Sequence, residues 1–506
     1  MIRLYLHIIL LFLFLSAKSQ YFVPLNDFHI NAFNNRETGS VYPLVIKGNL
    51  YSKDSLINYS LYKNFPENNK WLVRKIFYEH FVRIRDKSFE ANISPLAIFE
   101  LGKEDNSNRK IYRNSRGIYL EATMGESLGF YSTFFENQSK FMSYIEDYAE
   151  FYGVVPQQGF HKPIRKTDYD YAWSEGMILF MPSKKWNLQF GHGKRFIGNG
   201  YRSMLYSDNS FSYPQFFVNY IGQKFKYFSW FTSFMNPDFP DINAHGNHLK
   251  LNDHWQRKAG VFHYLTYNPA DNIQMALFEG SILQSRNNKG DYSFNIEHYN
   301  PLIIINSLNK KNNSYLGLNL NCIIQDFMFY GQCLVNSENS AKNGFQVGLI
   351  YSKDLSNIHF NILNEVNHAS KGLYSFSDSV LSYSHYNQPL AHPLGENFTE
   401  MVSKTEIRIK SFELAFKINL TYSKSDSAGI PAINLFLPDR ESVALDQSSQ
   451  RLIKEVKISY IINPQTNARI TAGAIIRNFD FLSLSDKTSF YYLSFSTDIF
   501  RRYYDF

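Results

Sequence analysis

Beyond residue 20 the 506-residue sequence has no apolar run approaching the roughly 18 residues that a spanning helix requires. Several catalytic and binding signatures are missing too. Gly193-Lys194 is followed by Arg195 where a phosphate loop, GxxxxGK[ST], needs a hydroxyl side chain, which argues against nucleotide binding. No GxSxG elbow accompanies Ser203 or Ser207, although both lie near His192 in sequence. His385 and His392 are seven residues apart with Pro389 between them, and no carboxylate–histidine spacing of a known metal site occurs. The expectation is a protein without metal, cofactor or enzymatic activity, and without a nucleic-acid partner.

Cysteine is scarce as well, with Cys322 and Cys333 the whole complement. They fall on two alternating runs, 316–324 and 327–335, which read as a hairpin turning near Gln325-Asp326. That register sets Cys333 opposite Leu318, about four residues along the strand from Cys322. At about 3.4 Å per residue this is too far for a disulfide, even in an oxidising compartment. Both read as small hydrophobes on an apolar face.

What is present begins with an export signal. Met1-Ile2-Arg3 is a positive start, Leu4 to Leu15 is apolar apart from His7, and Ser16-Ala17-Lys18-Ser19 supplies small residues before Gln20. Residues 1–19 read as a signal peptide cleaved near Ser19/Gln20. Removing Arg3 and Lys18 with it takes the formal net charge from +7 to +5. The mature chain is then either soluble and exported or a membrane β-barrel. Aromatics decide for the barrel: 36 Tyr and 45 Phe coexist with a mean hydropathy of −0.33. Alternating lipid-facing and lumen-facing positions with interfacial aromatic girdles need that mixture.

The segment 20–94 is read as N-terminal, periplasmic and helical, with a helix near residues 68–85 carried by Trp71, Leu72, Lys75, Ile76 and Glu79. From Pro95 alternating runs take over: 96–103, 116–124 and 128–136, then a second helix at 139–151 stopped by Val154-Val155-Pro156. Leu316 to Ile324 and Phe412 to Tyr422 alternate most clearly. Leu318 and Phe416 are expected on the lipid face, and Asn319 and Asn419 in the lumen, where added charge should cost less. Strands of about ten residues recur as up-and-down hairpins, and an even number near 18 is expected. The fold class is therefore all-β: a transmembrane antiparallel outer-membrane barrel over 95–506 with a few accessory helices. Its partners would be outer-membrane lipid and, through the aromatic terminal strand, the barrel assembly machinery. Arg501 and Arg502 break the last alternation, so residues 501–506 read as a periplasmic tail.

Two stretches stand out as candidate sites. The run Phe190 to Pro214, FGHGKRFIGNGYRSMLYSDNSFSYP, packs four glycines among His192, Lys194, Arg195, Asn199, Tyr201 and Arg202. It reads either as an inward loop whose polar groups satisfy each other, or as a glycan or anion site. The second, SHYNQPLAHPLGENF, carries His385, Asn387, Gln388 and His392 around Pro389 and Pro393, which exclude a central strand, so it is a surface or inward-folded loop. Glu279 and Glu297 resemble a glycosidase pair only superficially, being carboxylates of the kind a barrel lumen commonly carries.

The block GHGKRFIGNGYRSMLYSD resembles Bacteroidetes outer-membrane gliding motility proteins of the RemB type, which are similar to the wider Wzi-type capsule assembly family. Further pieces of the likeness are RGIYLEATMGESLGFYSTFFENQ, VVPQQGF, GVFHYLTYN, EHYNPL and SHYNQPLAHPLGENF, in order through 95–506. The resemblance implies an outer-membrane barrel that binds or organises surface polysaccharide, or that supports surface motility; the mild positive balance of +5 would assist contact with anionic glycan or lipopolysaccharide. A porin-like diffusion channel is the alternative, and plugging of the lumen discriminates the two.

Overall fold

The computed structural model describes residues 70–105, 109–125, 127–165, 168–183, 185–237, 255–284, 299–308, 312–376, 378–424, 448–481, 484–497 and 501–506, with short strands at 20–22, 41–42 and 45–47. The signal peptide and its cleavage point lie outside these residues. Eighteen antiparallel strands close into a barrel. In chain order they are β1 (Phe89–Glu104), β2 (Arg109–Met124), β3 (Leu128–Lys140), β4 (Asp168–Ser183), β5 (Trp186–Gly193) and β6 (Tyr213–Ile221). Then follow β7 (Phe225–Pro237), β8 (Trp255–Ala270), β9 (Ile273–Gln284), β10 (Asn313–Ile324), β11 (Phe327–Asn336) and β12 (Asn343–Leu355). The wall ends with β13 (Ile358–Ala369), β14 (Phe398–Ile409), β15 (Phe412–Lys424), β16 (Ser448–Asn463), β17 (Ala468–Phe481) and β18 (Leu484–Thr497). β18 pairs back onto β1, Phe490–Ser496 against Ile98–Glu104, so no edge is left for another chain to extend.

Period-two alternation makes the wall. On β10, Leu318, Leu320 and Ile324 are exposed outward while Asn319 and Asn321 are buried inward. The 316–324/327–335 hairpin forms as read, with Leu318 opposite Cys333, and both cysteines are free. Connections at one rim are short, as at 222–224, 271–272, 325–326, 356–357 and 410–411, whereas the opposite rim carries 141–167, 194–212 and 370–397. Short turns mark the periplasmic rim of such barrels. That rim bears cross-strand aromatic pairs: Trp186 with Tyr220 at 5.1 Å, Phe225 with Tyr267 at 4.8 Å, Phe327 with Tyr351 at 4.9 Å and Phe412 with Tyr460 at 5.0 Å. They form the interfacial girdle anticipated from composition.

Several local expectations change. The helix near 68–85 is only α1 (Trp71–Phe77), because Val82–Arg85 extends and pairs with β1. Alternation begins at Phe89 rather than Pro95. The second helix is α2 (Ser143–Tyr152), and it lies inside the barrel with Ile145 and Ala149 fully buried. Residues 501–506 form no strand, but neither do they hang in the periplasm. Tyr503, Asp505 and Phe506 are buried, and the Phe506 ring packs on Tyr148 of α2 at 4.7 Å. From the N-terminal segment, Val41–Tyr42 forms a backbone ladder with Phe196–Ile197 of the glycine-rich run.

Candidate functional site

Among the described residues, the glycine-rich run and the proline-containing stretch meet in the lumen. Loop 194–212 leaves the wall at Gly193 and returns at its register partner Tyr213, and loop 370–397 leaves at Ala369 and returns at its partner Phe398. Both fold inward from the rim of long connections. They pack on each other through Ser207 N–H to Leu390 O at 2.7 Å and Asn209 Nδ2 to Pro389 O at 3.1 Å. Tyr374 and Tyr383 hydroxyls donate to the Met204 and Leu205 carbonyls, each at 2.8 Å. The Pro-containing loop is thus inward-folded, held by a two-residue ladder between Ser384–His385 and Gln388–Pro389.

Glycine at 200 is required by close approach. A Cβ there would lie 2.0 Å from Glu365 Oε2. Without it, the Tyr201 and Arg202 N–H groups reach the Glu365 carboxylate at 2.9 and 3.1 Å. The wall meets the loop with a polar ladder in register across five strands: Asn319, Gln332, Gln346, Asn367 and Glu400. Gln332 donates to Asn319 at 3.0 Å, Gln346 to Asn367 at 2.9 Å and Asn367 to Glu400 at 3.0 Å. Gln332 also takes the Met204 N–H at 2.8 Å and gives to Ile197 O at 3.1 Å, while Gln346 gives to Arg202 O at 2.9 Å. None of these ladder residues except the asparagine at 319 stood out in sequence; five inward amides and acids on neighbouring strands were the available signal.

The ten candidate residues fall as follows. Arg202 is fully buried, with Glu400 at 2.9 Å and Asp505 at 3.1 Å. Burial alone would weaken its basicity, but those two carboxylates hold it well above the ordinary arginine range. Arg195 bonds Gln189 at 2.8 Å and also Gln215, with its guanidinium 3.6 Å over the Phe217 ring. Burial brings it down to about 10. Lys194 donates to Gln157 O at 2.8 Å, and Asn199 accepts from Asn321 at 3.0 Å. Tyr201 donates to Asp505 at 2.9 Å. His192 lies on the outward alternation of β5 beside Phe190, meeting the Ser174 carbonyl at 3.2 Å and the Phe211 ring edge-on at 6.1 Å. His385 accepts the Met235 N–H at 2.9 Å, Asn387 bonds Tyr152 O at 3.1 Å and Gln388 bonds Gln158 O at 2.7 Å. His392 donates Nε2–H to Glu400 at 2.7 Å while its Nδ1 accepts the Leu394 N–H at 3.2 Å, which fixes the neutral tautomer.

Hydrogen bonding of this kind makes the run a plug bound to the wall and to the second loop, with Arg195 Nη1, Arg202 Nη1 and Asn387 Oδ1 the buried atoms of these residues left without a hydrogen bond. The catalytic alternatives lose their geometry. Ser203 Oγ donates to Ile197 O and Ser207 Oγ to Ala391 O, neither to His192. Glu279 is not lumenal: it lies on the outer face of β9, accepting N–H groups of Ile304 and Ser307 at 2.7 Å each. Glu297 lies outside the described residues. Among the described residues, no group of three His, Cys, Asp or Glu is placed to hold a metal.

Below the plug, a cavity of about 230 Å³ reaches toward the periplasmic turns at 410–411 and 464–467. Of the ten candidates only Tyr201 lines it. Its wall is strongly ionic: Glu413 pairs with Arg408 at 2.7 Å and Arg469 at 2.6 Å, and Glu455 with Lys417 at 2.9 Å and Lys457 at 2.7 Å. Asp505 holds Lys417 at 3.0 Å.

An eighteen-stranded outer-membrane β-barrel with an internal plug is the class this architecture defines. No family model matches the sequence, and no curated protein sequence does either. Among solved structures the fold is similar to Wzi, an outer membrane protein involved in group 1 capsule assembly in Escherichia coli and described as a carbohydrate-binding β-barrel. The TM-score is 0.56 at 12% identity, over 94% of this chain and 98% of that one. Two Pseudomonas aeruginosa barrels align more loosely: OccK7 (OpdD) at TM-score 0.43 and 7% identity over 81% of this chain and 99% of that one, and OprD at 0.42 and 9% over 84% and 97%. At these identities the likeness to Wzi establishes the fold.

Proposed function

We propose that this protein is a non-conducting, non-enzymatic outer-membrane barrel that binds or organises cell-surface polysaccharide. The observation that carries the reading is the filled lumen. Inward-facing Trp230, Phe262, Tyr264 and Phe278 on β7–β9 are fully buried against Tyr206 and Tyr383 of the two inward loops. A water-filled pore keeps a polar wall, whereas this wall is packed like the core of a soluble domain. The Wzi-like fold supports polysaccharide as the partner, and the sequence likeness to RemB proteins makes surface motility another setting for the same attachment role. The rival diffusion channel needs a water path through those packed rings. Purified protein in planar bilayers is expected to give no stepwise conductance, and cells lacking it are expected to shed surface polysaccharide into the medium. Stable channel steps from the intact protein would reverse the reading.

A further inference from the structure

We propose that segment 501–506 is a detachable lock, an internal ligand that enters the barrel from the periplasmic end and holds the plug in place. Its route is the first support. β18 ends at Thr497 on the short-turn rim, and its ladder with β1 stops at Ser496. Residues 501–506 take no part in the sheet, so closure of the wall does not use them. Phe506 nevertheless rests on Tyr148 of α2, at 4.7 Å, and α2 belongs to a connection from the opposite rim. The segment therefore meets the plug from the end opposite the inward loops.

The contacts are the second support, because they join three elements that are far apart in sequence. In 141–167, Gln157 Oε1 accepts the Tyr503 N–H at 2.7 Å, and the Tyr144 hydroxyl donates to Tyr504 O at 2.6 Å. In 194–212, Asp208 accepts from the Tyr503 hydroxyl at 2.8 Å, and Tyr201 donates to Asp505 at 2.9 Å. The Arg501 guanidinium lies 4.7 Å from the centre of the Phe196 ring in the same loop. On the wall, Lys417 of β15 pairs with Asp505 at 3.0 Å.

The third support is the state the segment leaves behind. Taking away one member of a buried ion pair normally strands the other. Here both cations that hold Asp505 keep a second carboxylate: Arg202 keeps Glu400 at 2.9 Å, and Lys417 keeps Glu455 at 2.9 Å. Asp208, beside Arg501, still has the Lys194 amine in its field. Asp505 itself returns to water with the segment. Undocking thus loosens α2 and the glycine-rich loop while each of these buried charges keeps a counter-charge.

The test is hydrogen exchange, read by mass spectrometry on the full chain in nanodiscs. In the unaltered protein, amides of 503–506 are expected to exchange through a local opening with little dependence on added urea, whereas wall amides need the global transition. Deleting 501–506 is expected to quicken exchange severalfold in 143–152 and 194–212 and to leave the wall strands unchanged. The hexapeptide RRYYDF, added to that shortened barrel, should restore slow exchange in both stretches. The same peptide carrying Asp505→Asn should need about tenfold more for the same effect. Exchange of 503–506 only together with the wall overturns the lock. So do plug stretches that stay as slow in the shortened protein as in the intact one, or a peptide without effect on it. A shortened chain that fails to assemble overturns it as well, because the segment is then part of the folding core and not a ligand of the finished barrel.

Discussion

Arg202 ties three parts of the chain together: its own loop, the wall through Glu400, and the segment after β18 through Asp505. Removing one partner of a buried pair leaves the other charge without compensation, at a cost of about 3–5 kcal/mol. Arg202→Ala is therefore expected to lower the unfolding free energy by about that amount, read from urea titrations in lipid vesicles. An unchanged midpoint would show that Asp505 and Glu400 are held by their other partners alone. His385 gives a pH signature. Burial takes it down to about 3, with the Lys258 amine and the Tyr213 and Phe234 rings nearby. The unfolded chain binds a proton there near neutrality and the folded chain does not. Its contribution is therefore complete above about pH 6.5 and is lost progressively as pH falls toward 3. Asp208 and Glu396, raised by burial, act in the opposite sense at lower pH. The test is therefore a difference: between about pH 7 and pH 5.5 the wild type should lose about 1 kcal/mol more stability than His385→Asn. Identical pH profiles would remove His385 from the account.

At the scale of elements, the outer wall shows how a polar group is accommodated where lipid offers no hydrogen bonds. Tyr227, His263 and Glu279 lie on the outward faces of β7, β8 and β9, and segment 299–308 covers them. Glu279 anchors that strap through two backbone N–H groups, and Leu302 and Leu308 face outward at 62% and 72% exposure. Ile304 adopts φ 78°, a strained conformation for a β-branched residue that the anchor holds in place. Glu279→Ala is expected to free the strap, each abandoned N–H costing about 1–3 kcal/mol. Limited proteolysis within 299–308 should quicken severalfold while the barrel keeps its heat-modifiable mobility; an unchanged cleavage rate would contradict the anchoring role. The wall strands were legible in sequence because period two needs only one apolar face, and the cysteine hairpin came out in register for that reason. The strap was not legible, because Glu279 looks the same in sequence whether it faces water, lumen or strap. Nor was the ladder: Asn319 reads as a lumenal residue tolerant of charge, yet it is fully buried and bonded to Gln332. An arginine there would displace packed protein rather than water.

For the whole molecule, the question is whether the plug is part of the barrel's closure or an insertion into a finished wall. The sequence could not say, since inward polar side chains do not reveal whether their partner is water or another loop. One available signal was β7, where Phe228, Trp230 and Phe234 face inward while Phe225, Tyr227 and Phe231 face outward; a strand apolar on both faces belongs between lipid and packed protein. The register answers the question. Each inward loop departs and returns at directly opposed residues, Gly193 with Tyr213 and Ala369 with Phe398, so each could be replaced by a two-residue hairpin turn without moving a wall strand. Replacing 194–212 and 370–397 together by Asn-Gly turns removes the groups that cover Trp230, Phe262 and Phe278, together with Arg202 and its buried pairs. The eighteen-strand hydrogen-bonded wall stays closed, because no wall pairing involves the excised residues. The shortened barrel is expected to be less stable, having traded packed rings for water, yet still to insert and run as a folded species. In planar bilayers it should show stepwise conductance where the intact protein shows none. If the shortened barrel folds and stays silent, α2 and the segment after β18 suffice to block the lumen. If it cannot assemble at all, the inward loops are needed to bring the wall together, and the plug is a folding core rather than an insertion.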